Sequence, residues 1–174
     1  SFCQISSSKD WPKSIQKEFN SIKKGKIDTF LVYYSYLGPW SNLPEQCDGI
    51  PCVWVLWIKN KECFARKLFC DSTSNTTISI SSVPFDFFIS HIKDFELRDK
   101  YIKKIKKEQK FFPPIPTDGS WEYLYFMTSK SRYYLNLSEH QRIDKIWKQF
   151  PWIKPTIDAV DTTIFELNRN KNVR

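Results

Sequence analysis

The sequence predicts an α+β domain: an antiparallel sheet of about five to six strands with helices packed mainly on one face. Three observations point there. Short apolar runs end in turn residues at 53–69 and again at 121–137, which reads as two hairpins. Segments with apolar residues at helical spacing lie between and after them, without a regular strand–helix repeat. A chain of 174 residues, 41% hydrophobic, supplies one core, so a single domain over 1–174 accounts for it, with 1–9 as a flexible N-terminus.

The elements follow in chain order. Asp10 is placed to cap a helix whose Trp11, Ile15, Phe19 and Ile22 share one face, and Gly25 is its stop. A strand is expected at 29–37; it is apolar on both faces and therefore belongs inside the sheet. Residues 38–51 carry three prolines and two glycines and form a long loop. Strands 53–58 and 62–69 join across Asn60-Lys61, a polar turn covers 71–77, and a short strand covers 78–81. A helix opens near Ser82 with Pro84 in its first turn. Phe85, Phe88, Ile89, Ile92 and Phe95 keep helical spacing, but Leu97, Tyr101, Ile102 and Ile105 form a second stripe on another face. One straight helix cannot bury both, so a bend or break is expected near 95–97.

Pro113, Pro114 and Pro116 make a stiff connector. The second hairpin, 121–127 with 132–137, turns at Ser129-Lys130-Ser131. Ser138 and Gln141 have capping-box spacing and open a helix carrying Ile143, Ile146, Trp147 and Phe150. Pro151 and Pro155 interrupt. Thr156 caps a last helix through Ile157, Val160, Ile164 and Leu167, with an edge strand over 162–167 as the alternative.

The cysteines are Cys3, Cys47, Cys52, Cys63 and Cys70. Their spacings lack the tight pairs that zinc takes, so no metal is expected. If Lys59 lies opposite Glu62, the hairpin register brings Cys52 close to Cys70, which makes that pair the expected disulfide. Cys47 is the competing partner for Cys70, should the preceding loop fold over. Disulfide use suits an exported, periplasmic or extracellular protein. The opening Ser1-Phe2-Cys3-Gln4 has the look of the tail of an export signal, with a truncated terminus and a lipid-bearing Cys3 as competing readings. The longest apolar runs, 30–34 and 53–58, are too short to span a bilayer.

The common catalytic signatures do not occur: no phosphate-binding glycine loop, no G-x-S-x-G and no H-E-x-x-H. No cofactor is expected. His91 stands beside a buried stripe and reads as a structural histidine; His140 follows a helix cap and reads as solvated. Asp158 and Asp161, three apart, share a helix face, where acids near an N-terminus offset the helix dipole. If the chain is instead a secreted hydrolase or toxin, its catalytic candidates are His91, His140, Asp158 and Asp161, brought together from distant segments. A cysteine nucleophile, Cys63 or Cys47 served by His91, is a weaker variant.

Charge says more. The formal net charge is +8. Lys100, Lys103, Lys104, Lys106 and Lys107 crowd one predicted helix, opposite Leu97, Tyr101, Ile102 and Ile105. A basic face of this kind is either simply solvated or meets an acidic protein; contact with an anionic membrane surface is also open. Nucleic acid ranks low, because lysine dominates the cluster while arginine, which base contacts favour, is sparse, and an exported protein has less occasion to meet it. Tyr36 and Trp40 border turn residues in the long loop and are candidate partner contacts, unless Trp40 folds into the core. Asn75 and Asn136 would be glycosylation acceptors only in a eukaryotic secretory pathway.

The run Tyr33-Tyr34-Ser35-Tyr36, the cysteine-bearing loop, Val53-Trp54-Val55-Leu56-Trp57-Ile58 and the strand closing at Cys70 resemble a pattern in small uncharacterised exported proteins of Bacteroidetes. The resemblance covers roughly residues 30–95 and includes a following segment similar to 78–95. It implies an envelope or secreted location and carries over no catalytic residue. Together these readings lead to the expectation of a non-catalytic exported binding protein, an immunity protein or inhibitor occupying a toxin or envelope enzyme.

Overall fold

A computed structural model of the chain describes residues 11–25, 27, 29–37, 42–71, 76–108 and 119–169. Strands β1 (Thr29–Tyr36), β2 (Cys52–Lys59), β3 (Glu62–Phe69), β4 (Thr77–Ile80), β5 (Trp121–Met127) and β6 (Arg132–Ser138) form one sheet in the order β4-β3-β2-β1-β5-β6. Every neighbouring pair is antiparallel. The β2–β3 hairpin turns at Asn60 and Lys61, whose φ values of 53° and 67° are those of a primed turn that matches the strand twist. Lys59 does stand opposite Glu62.

The pleat sorts the side chains onto two faces. Phe30, Val32, Tyr34, Val53, Val55, Trp57, Leu68, Tyr123 and Tyr125 point to one. They are covered by α1 (Lys13–Lys23), through Ile15, Phe19 and Ile22, with Trp11 just ahead of it. Leu31, Leu56, Ala65, Leu124, Phe126, Leu135 and Leu137 point to the other. That face lies under α2 (Val83–Ser90), α3 (Ile92–Glu108) and α5 (Ile153–Arg169), which contribute Phe85 and Phe88, Phe95, and Ala159, Val160 and Leu167. The helices thus sit mainly on one face, as the sequence implies. β1 is interior because both its faces are covered, and it pairs with β2 and β5. Phe88 shows how tightly this layer joins the sheet: its ring centre is 4.6 Å from that of Phe95 and 4.7 Å from that of Phe126.

Five expectations are corrected. Helix α1 starts at Lys13 with Pro12 at its N-cap, later than the sequence suggested; Asp10 lies outside the described residues. The break between the two apolar stripes falls at His91, not at 95–97. The Ser90 hydroxyl donates to the Phe87 carbonyl and the His91 ring meets the same oxygen at 2.9 Å, so side chains there take a carbonyl the helix ladder would use. Helix α3 then runs unbroken past 95–97 and leaves Leu97 facing out, 49% exposed.

The disulfide joins Cys70 to Cys47, not to Cys52, with the Cα atoms 5.2 Å apart. Cys52 stands opposite Phe69 and so on the other face from Cys70, whereas the loop, through a 3-10 turn at Glu45–Cys47, folds onto the face that Cys70 shares with α1. The capping box at Ser138 and Gln141 is present, but α4 (Glu139–Ile143) is only five residues long. Its chain turns out at Asp144 and re-forms as a 3-10 turn at Trp147–Gln149, which buries Trp147 and leaves Ile143 and Ile146 exposed. Finally α5 starts at Ile153, before Thr156, and continues as helix through 162–167. Pro155 fits in its first turn, where no backbone donor is needed.

Candidate interaction surface

The residues singled out for catalysis have separate surroundings. His91 closes α2: its Nδ1 lies 2.9 Å from the Phe87 carbonyl and 2.9 Å from Ser90 Oγ, and its ring stacks on Phe87 at 4.1 Å. These bonds make it a helix-end residue. His140 is half-buried in α4, with its ring beside Gly119. Asp158 pairs with Lys154 one turn earlier on α5. Asp161 receives Arg142 Nη1 at 2.8 Å. A cleft beside the disulfide is lined by Trp11, Pro12, Lys13, Ser14, Gln16, Gln46, Asp48 and Cys70, and by none of these four residues. Among the described residues no group of three or more histidine, cysteine, aspartate or glutamate side chains could hold a metal ion.

Arg142 belongs to a network that sequence reasoning missed. Its Nε donates to Glu122 at 2.7 Å, and Glu122 also accepts from the Tyr33 hydroxyl at 3.1 Å. Strand β1, strand β5, α4 and α5 are thereby tied together. Burial alone would lower the Arg142 pKa, but the hydrogen bonds and charges of Glu122 and Asp161 hold it above its ordinary value. Tyr33 is raised, first by burial and then by the charge of Glu122 and the bond to it, with Arg142 opposing. A signal existed: Glu122 is the one charged residue in the aromatic run Trp121–Met127, on the face it shares with Leu124 and Phe126. A carboxylate there needs a cation or a donor.

Outside that network the helix layer exposes charge. Helix α3 is fixed inward by Phe95 and by Arg98, whose Nη1 donates to the Tyr134 carbonyl at 3.3 Å while Nη2 donates to Asn136 Oδ1. Farther along, Tyr101 leans on Phe150 and Trp152, with ring centres 5.7 Å and 4.6 Å away. Lys100, Lys103, Lys104 and Lys107 are all exposed on the remaining surface. Lys106 is in the same helix, but its side chain lies outside the described residues, as do those of Ile102 and Ile105. The lysines do not stand opposite Leu97 and Tyr101: both of those are on the outer side too, 49% and 38% exposed. Tyr36 is half-buried at the margin of the α1-side core, and Trp40 lies outside the described residues. No helix of the described residues is long and apolar enough to cross a membrane.

Compared with known proteins, the chain matches no family model, no curated protein and no solved structure.

Proposed function

We propose that this domain is a non-catalytic binding protein whose basic helix α3 engages an acidic protein partner, in the manner of an immunity protein or inhibitor that occupies a toxin or envelope enzyme. The observation that carries this reading is the outer surface of α3. Lys100, Lys103, Lys104 and Lys107 are exposed there, while Phe95, Arg98 and Tyr101 hold the helix against the rest of the fold. Glu96 and Asp99 are exposed nearer the start of α3, so the positive charge gathers from Lys100 onward, and a surface patch of that kind steers and orients an oppositely charged one. The Cys47–Cys70 disulfide supports an exported location, as does the resemblance to small exported proteins.

Affinity capture tests the reading. The immobilised domain should retain an acidic protein in one-to-one stoichiometry, with retention weakening as salt rises. A variant with Lys100, Lys103, Lys104 and Lys107 changed to Glu should keep its circular dichroism and lose the partner. Equal retention by that variant would show that α3 does not recognise it.

A further inference from the structure

The exposed surface of α3 is more ordered than a basic patch. Lys93, Leu97, Lys100, Lys104 and Lys107 are all exposed, and they succeed one another in steps of four, three, four and three along the helix. That is the 3.5-residue spacing of a seam that a second helix can follow. The seam is about 21 Å long at 1.5 Å per residue. Leu97 breaks its row of charges, and Tyr101, one turn further on, stands beside it. Tyr101 is held by Phe150 and Trp152 with part of its surface uncovered, so it and Leu97 form an apolar step on the helix surface. Leu97 and Tyr101 put an apolar contact on the same face as the lysines, within reach of whatever meets them.

We propose that this seam docks an amphipathic acidic helix of the partner protein, with an apolar residue seated on Leu97 and Tyr101 and carboxylates facing Lys93, Lys100, Lys104 and Lys107. This rests on the reading of α3 as the recognition element and adds the form of what it recognises. The apolar step supplies contact area and fixes register, whereas lysines alone would hold any polyanion in any register. Charge complementarity selects the occupant. An acidic helix brings opposite charge to the lysines and covers the leucine together.

The probes are two labelled helical peptides of about two heptads, the length of the seam. Both are rich in Glu. One carries two Leu four residues apart, and the other has Ser at those positions. Fluorescence anisotropy with the full chain should show the Leu peptide binding about tenfold more tightly, the worth of one well-covered aliphatic side chain. Leu97→Ser should erase that difference and leave the Ser peptide unaffected. Reversal of Lys93, Lys100, Lys104 and Lys107 to Glu should abolish both. If both peptides bind alike and Leu97→Ser changes nothing, the acidic-helix proposal falls while the basic-face reading stands. If neither peptide binds, both fall. If vesicles containing anionic phosphatidylglycerol bind in a Leu97-dependent way and the peptides do not, the seam is a lipid contact and the proposal is wrong.

Discussion

Tyr33 and Tyr134 are phenols that the fold keeps protonated. Burial is the main cause for both. Tyr33 is raised further by Glu122, and Tyr134 by the neighbouring Tyr34, Tyr125 and Tyr123. The consequence for stability has a definite sign. Below the ordinary tyrosine pKa of about 10 both states carry the proton and nothing changes. Above it the unfolded chain ionises while the folded one does not, so stability is lost as pH rises from there towards the folded values. Urea melts should therefore show a midpoint that falls between about pH 9.5 and 11, and a shallower fall in Tyr33→Phe and Tyr134→Phe. An unchanged slope in both variants would mean that other groups carry the alkaline loss. Glu166 shows the same economy of buried polar groups. It is 2% exposed and accepts the Ser81 backbone N–H at 2.7 Å, which ties α5 to the start of α2.

Arg98 closes an edge. Strand β6 is the last strand on its side of the sheet, and Arg98 reaches from α3 to its Tyr134 carbonyl and Asn136 side chain. Burial lowers the Arg98 pKa, with Asp99 and Tyr134 opposing. Arg98→Ala should cost roughly 1.5–3 kcal/mol in urea denaturation, the range for hydrogen bonds from a charged donor. It should also raise the concentration-dependent self-association seen by light scattering, because an unguarded edge pairs with other copies. A loss below about 0.5 kcal/mol would show that the contact is ornamental. Elements of this kind differ in how far the sequence reveals them. Both hairpins were legible, because short apolar runs end in turn residues at Asn60-Lys61 and at Ser129-Lys130-Ser131. The capping box was legible too, but the length of α4 was not. Its helical pattern continued to Phe150, while the chain turns out at Asp144 to bury Trp147 elsewhere. Tertiary packing overrode local propensity there. The exposed face of α3 was half legible: the lysines stood out in sequence, but Leu97 was assigned to a buried face. Only the position of the break at His91 decides which way the next helix points.

At the scale of the molecule, one covalent link and one long-range seam set the order. The Cys47–Cys70 bridge closes a separation of 23 residues. It pins the 42–50 loop over the α1-side core, with Ser14 Oγ donating to the Cys70 carbonyl at 3.0 Å beside it. By the loop-closure estimate it stabilises by roughly 3 kcal/mol. Reduction, or replacement of both cysteines by Ser, should lower the urea midpoint by a corresponding amount and leave the sheet's circular dichroism intact. A reduced protein with an unchanged midpoint would remove the bridge from the account of stability. The strand order has a kinetic counterpart. Strands β1 to β4 are consecutive in the chain and pair as a meander, and the bridge lies within that stretch. The other side of β1 waits for β5, which pairs Phe30 with Met127 and Tyr36 with Trp121. Closing so distant a contact is slow. During synthesis, therefore, the first half can oxidise and collapse while the central strand still has one bare flank. That flank is sealed only when the last hairpin arrives, and until then it is a template for another nascent copy.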